Sequence, residues 1–188
     1  MDKAVIDAIA RWPNVPDVYG WLGLDRRGQW RIKGELVTNP QLCAFIGRNY
    51  TSTVEGAWFF QNGPQRVYVA LDYTPWVLRL TGSGELETHS GITVANPRQA
   101  WMDEDGNLLL ETEHAIGLIE DRDLPAVLDG IVDASNTRAD EESLLQLMGG
   151  AALPLQLRLA GELLPLSPLT KAQVPGKFGF ITDPSPAQ

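Results

Sequence analysis

The sequence predicts an α+β protein of two mixed, mainly antiparallel β-rich motifs with short helices, over residues 1–100 and 101–188. Three observations lead there. Apolar residues alternate in short runs such as "QRVYVALD", the period of a half-buried strand. Glycine-containing turns separate those runs, and helix-period segments are few and brief. A chain of 188 residues is long enough for one domain with a proper core or for two small β-rich units.

Residues 2–11 read as an amphipathic helix, with Val5, Ile6 and Ile9 on one face and Asp2 and Asp7 toward the N-terminal end, and "PNVP" ends it. "DVYGWLGLD" and "QWRIKGELV" then form a hairpin around the three-residue turn Arg26-Arg27-Gly28. Asn39 is suited to cap a helix and Pro40 to begin it, so "PQLCAFIGRN" is predicted helical, with Leu42, Phe45 and Ile46 inward and Cys43 packed as a small hydrophobe.

From residue 57 the runs "AWFFQ", "QRVYVALD", "WVLRLTG" and "ELETHSGITVA" predict an antiparallel meander, broken by Asn62-Gly63, Tyr73-Thr74-Pro75 and a Ser-Gly turn. Trp101 and Asp105 repeat the four-residue spacing of Trp21 and Asp25, which suggests an internal duplication. Beyond it, "DLPAVLDGI" begins a helix, "ASNTRADEE" is a polar loop and "ESLLQLM" is a short helix. "LPLQLRLAGELLPL" is a hairpin around Ala160-Gly161, and "TDPSPAQ" is expected to fray.

Charge and composition exclude several functions. The net charge of −9 opposes nonspecific nucleic-acid binding. Residues 1–100 hold ten Lys/Arg against nine Asp/Glu, whereas residues 101–188 hold five against fifteen, so an anion-binding surface belongs to the first half. One cysteine excludes a disulfide framework and a thiolate zinc site. The run "LMGGAALPLQLRLAG" is broken by Pro154 and Arg158, which predicts no membrane insertion. The N-terminus has no secretory pattern, and the expected location is cytoplasmic.

No catalytic or metal signature is present. "DEDGN" resembles the start of a calcium loop but lacks a third oxygen ligand before its Gly, so it reads as a turn. Glu120, Asp121 and Asp123 read as a solvated helix start. His89 and His114 have no ligand partner at zinc spacing, and neither a nucleophile elbow nor a phosphate loop can be written. No metal and no cofactor are predicted.

Three motifs follow one another within residues 21–131: "WLGLDRRGQWRIKGELVTNPQL", "PQRVYVALDYTPW" and "LETHSGITV". In these the chain resembles a proteobacterial family known as domain of unknown function 1285, or a sister family of its fold. The resemblance implies two stacked β-rich motifs, the second pleckstrin-homology-like, with a ligand site at their junction and a regulatory role, and it brings no catalytic residues.

The resulting expectation is a noncatalytic binding or regulatory module for a small anionic or nucleotide-like ligand between the motifs. Its ligand-binding residues are Asp72, Tyr73, Trp76, Arg79, Thr88, His89 and Ser90, because "YTPW" and "THSG" place aromatic and hydroxyl groups at strand ends. One rival is a small hydrolase or transferase using His89 and Asp72. The other is a structural protein–protein interaction domain, with a homodimer burying exposed Trp.

Overall fold

The computed structural model describes residues 1–12 and 14–186. Pro13, expected to help end the first helix, and residues 187–188 of the expected frayed tail lie outside the described residues. The chain divides into two units, Met1–Pro75 with Gly179–Gln188, and Trp76–Phe178. The division thus falls at Pro75 rather than at residue 100, and the first unit takes back the end of the chain.

In the first unit, α1 (Lys3–Arg11) buries Val5 and leaves Ile6 exposed. Six strands follow around one further helix: β1 (Val18–Leu24), β2 (Trp30–Ile32), β3 (Glu35–Leu36), α2 (Pro40–Arg48), β4 (Tyr50–Ser52), β5 (Trp58–Asn62) and β6 (Gln65–Leu71). Asn39 caps α2 as predicted: its Oδ1 accepts from the Gln41 and Leu42 amides. "QWRIKGELV" is two strands, since Lys33 and Gly34 both take positive φ, 49° and 85°, and turn the chain back.

The sheet order is β3-β2-β1-β6-β5-β4, and β1 runs parallel to β6, Leu22 opposite Val69 and Leu24 opposite Leu71. On that face lie Leu22, Leu24, Phe60, Val69 and Leu71, with Ile46 of α2 buried as well. Aromatic edges lock it, Trp30 against Tyr50 and Phe45 against Phe60. Burial pushes the Tyr50 hydroxyl well above its ordinary pKa, and it donates to the Pro75 carbonyl. On the opposite face Tyr19 stacks on Tyr68, and Phe59 packs beside it.

The C-terminal segment expected to fray is held in this unit. Ile181 donates to Gly56, Thr182 accepts from Leu71, and Pro184 is buried.

The second unit contains β7 (Trp76–Leu80), β8 (Leu86–Thr88), β9 (Thr93–Val94), β10 (Gln99–Met102), β11 (Leu108–Glu111) and β12 (Ile116–Ile119). These are followed by α3 (Leu124–Leu128), β13 (Ile131–Val132), α4 (Glu141–Met148), β14 (Leu155–Leu159), β15 (Glu162–Pro168) and α5 (Val174–Phe178). Its sheet order is β13-β14-β15-β10-β11-β12-β7-β8-β9. Here β12 runs parallel to β7, and β10 to β15. The predicted meander therefore does not continue through Tyr73-Thr74-Pro75: β6 and β7 belong to different sheets. Both sheets are mixed and mainly antiparallel, as the α+β expectation has it.

One five-residue turn recurs in both units, at Asp25–Gln29, Thr53–Ala57, Thr81–Glu85, Thr88–Ile92, Asp103–Asn107 and Asp133–Thr137. In each, the first residue's amide donates to the fifth carbonyl and the fourth amide donates back to the first carbonyl. The first side chain accepts from the fifth amide. The fourth residue takes positive φ, from 64° at Asn136 to 87° at Gly56, which is why Gly or Asn stands there. The aspartates that correspond are Asp25 and Asp103, so the Trp/Asp spacing that paired Asp25 with Asp105 is out of register. A turn used this often is no sign of duplication.

Candidate functional site

The largely apolar face of the first unit is incompletely filled. α2 is nine residues long and cannot cover all of β1, β2, β5 and β6, so a cavity of about 380 Å³ remains, open on one side. Leu22, Phe45, Ile46, Phe60 and Val67 line it, with Val18, Trp21, Ile32, Leu42, Asn62 and Gln65 completing the wall. The size falls in the range of small-molecule sites, which are mostly apolar with a few polar groups. Three lining residues keep much of their surface in water: Trp21 at 50%, Ile32 at 38% and Leu42 at 36%. The Lys33 ammonium lies 4.0 Å from the centre of the Trp21 ring, a cation–π contact with a residue of this wall. Glu35 stands opposite Ile32 in the strand register. Of the three residues expected to face inward, Ile46 is buried and Phe45 half-buried, while Leu42 is exposed at the rim of the cavity. The usable signal was a surplus: the apolar side chains of these strands exceed what a nine-residue helix can cover.

The residues singled out in sequence fall in two groups. Asp72 and Tyr73 belong to the first unit, where Asp72 is exposed and Tyr73 is buried with the Arg26 guanidinium over its ring. Trp76, Arg79, Thr88, His89 and Ser90 belong to the second, gathered around the β7–β8 pair.

Within that second group most polar atoms already have structural work. The Trp76 indole donates to the His114 carbonyl, and its ring sits 5.3 Å from that of His89. His89 Nδ1 accepts from the Val77 amide, and its own amide donates to the Val77 carbonyl. Burial of the ring, and next the nearby Arg79 guanidinium, lower the His89 pKa from 6.5 to about 3, so the imidazole is neutral at pH 7. Thr88 Oγ1 holds the turn described above, with Ser90 Oγ at 3.4 Å.

Arg79 is committed to an ion pair. Its Nε lies 2.8 Å from Glu120, whose carboxylate is 2% exposed and is also held by Arg122. The expected solvated acidic helix start is therefore wrong for Glu120, which is a buried counter-ion for two arginines. Asp123 likewise accepts from the Leu80 amide. "DEDGN" is a turn, as predicted, with Asp103 fully buried and accepting from the Asp105 and Asn107 amides and the Asn107 side chain. Among the described residues no three His, Cys, Asp or Glu side chains cluster as a metal site. Nor is any helix there long and apolar enough to cross a membrane.

The chain is similar to two solved structures of DUF1285 family proteins, the family whose motifs residues 21–131 resemble. One, from Silicibacter pomeroyi DSS-3, is 17% identical with a TM-score of 0.49, covering 89% of this chain and 96% of that one. The other, from Shewanella baltica OS155, is 14% identical with a TM-score of 0.42, covering 66% and 95%. No curated protein matches the chain. Over residues 1–185, nearly its whole length, the chain belongs to the family described as "Protein of unknown function (DUF2946)".

Proposed function

We propose that this chain is a noncatalytic binding module whose ligand enters the open cavity of the first unit. The observation that carries the reading is the cavity itself: about 380 Å³, walled by Leu22, Phe60 and Val67 of the sheet and by Phe45 and Ile46 of α2. An apolar wall left wet is costly, and a ligand that displaces the water recovers that cost. Such a ligand also stabilises the fold by mass action, the simplest form of a regulatory response.

The anionic or nucleotide-like ligand expected at Asp72, Tyr73, Trp76, Arg79, Thr88, His89 and Ser90 is the less supported site. An anion at Arg79 has to displace Glu120, already bound at 2.8 Å. The hydrolase or transferase reading is weaker still, since a histidine with a pKa of about 3 is a poor base and is not in the imidazolium form that acts as a general acid at neutral pH.

The test is titration with the fluorescent apolar probe anilinonaphthalene sulfonate. The native protein binds it saturably at one site, and Val67→Trp, which fills the cavity, removes that binding while the thermal transition stays cooperative. Leu42→Trp, at the rim, serves if Val67→Trp fails to fold. Arg79→Ala leaves the binding unchanged. Absence of saturable binding, or equal binding by the filled variants, overturns the reading.

A further inference from the structure

We infer that the cavity takes a medium-chain aliphatic carboxylate, its tail against Leu22, Phe60 and Val67 and its carboxylate at the Lys33 ammonium. The inference rests on the reading of the cavity as a binding site and adds the chemical class of the ligand.

The wall sets the body of the ligand. Its deep side chains are aliphatic or phenyl, and the polar members, Asn62 and Gln65, lie at the β5–β6 turn. A ligand polar along its length would leave its groups unpaired against Leu22, Ile46 and Val67, which is costly. A chain polar at one end only fits.

Charge sets the head. Lys33 follows Ile32, a wall residue, and its backbone amide donates to the carbonyl of Trp21, another wall residue. Its ammonium lies 4.0 Å from the centre of the Trp21 ring, which places a cation beside a wall residue. The acid nearest in the strand register is Glu35, opposite Ile32 on the exposed two-residue edge strand β3. Glu35 favours a cationic head where Lys33 favours an anionic one. Both side chains are exposed, and the cation is favoured because it sits on the ring of Trp21, a wall residue, whereas Glu35 stands on the edge strand β3.

The experiment is calorimetric titration of the full chain with decanoate, decanol and decylammonium below their aggregation limits. Decanoate binds tightest and decylammonium weakest. Lys33→Gln weakens decanoate by about threefold to fivefold, the scale of an exposed ion pair, and leaves decanol unchanged. Lys33→Arg restores decanoate, and Glu35→Gln strengthens it. Added salt weakens decanoate and not decanol. If the three bind equally, or Lys33→Gln does not separate decanoate from decanol, the carboxylate inference is overturned while the cavity reading stands. If none binds, both fall.

Discussion

The Thr88–Ile92 turn and the cavity beneath α2 invert what their sequences advertise. "THSGI" carries a hydroxyl pair, a histidine and a glycine, the vocabulary of an active site, yet Thr88 Oγ1 accepts from the Ile92 amide and Gly91 supplies a φ of 78°. The cavity is walled by residues that read as ordinary core, Leu22, Phe45 and Phe60, and it is there that space remains. Polar groups in the turn are consumed by the backbone they stabilise. The difference teaches that a polar motif has to be counted against its own local hydrogen bonds before it is offered to a ligand.

The comparison breaks hardest at Gly56. In that turn an added Cβ would lie 2.1 Å from the Gly179 carbonyl oxygen, with φ at 87°. Gly56→Ala is expected to cost at least about 4 kcal/mol, or to prevent folding, as read by denaturant melts. A mild effect would show that the contact between Gly56 and Gly179 is not tight.

Next is Asp103, whose buried carboxylate accepts from the Asp105 and Asn107 amides and the Asn107 side chain. Asp103→Ala orphans those donors and is expected to lose about 2–3 kcal/mol, without change in ligand titrations.

His89 sharpens the contrast through pH. Its folded-state pKa is depressed from 6.5 to about 3, so the unfolded chain binds the extra proton between those values. Its contribution is therefore full above about 6.5 and is lost as pH falls toward about 3. The slope is at most roughly 1.4 kcal/mol per pH unit, and His89→Gln flattens it in urea melts at stepped pH. An unchanged slope means that the ring is solvated.

The smallest effect is at Gly91, where an added Cβ meets nothing within 4 Å and only the φ of 78° resists. Gly91→Ala is expected to cost about 1 kcal/mol. The gap between Gly56 and Gly91, the same position of the same turn, measures close packing alone.

Local features were legible in the sequence. Asn39 and Pro40 announced α2, Ala160-Gly161 the β14–β15 hairpin, and Arg26-Arg27-Gly28 the β1–β2 turn, because capping and positive φ are decided within a few residues. Partners far apart in the chain were not. Alternation tells which face of a strand is apolar but not which strand lies beside it, so the parallel pairs β1–β6, β7–β12 and β10–β15 were invisible, and with them the boundary at Pro75. Burial of Glu120 depended on Arg79, 41 positions earlier, which no local window joins to it. The candidate site was missed for a further reason: a cavity is a shortfall of volume, and sequence patterns record polarity without recording fit.

The return of residues from Gly179 onward to the first unit bears on how the chain is made. The second unit is continuous, and every strand of its sheet has been synthesised before Gly179 is added. The first unit has all six of its strands by Leu71, yet Leu71 donates to Thr182 and Gly56 accepts from Ile181, so its sheet waits more than a hundred residues for its last hydrogen bonds. During that interval the backbone at Gly56 and Leu71 is unsealed. Of the two units, the one begun first is therefore the one finished last.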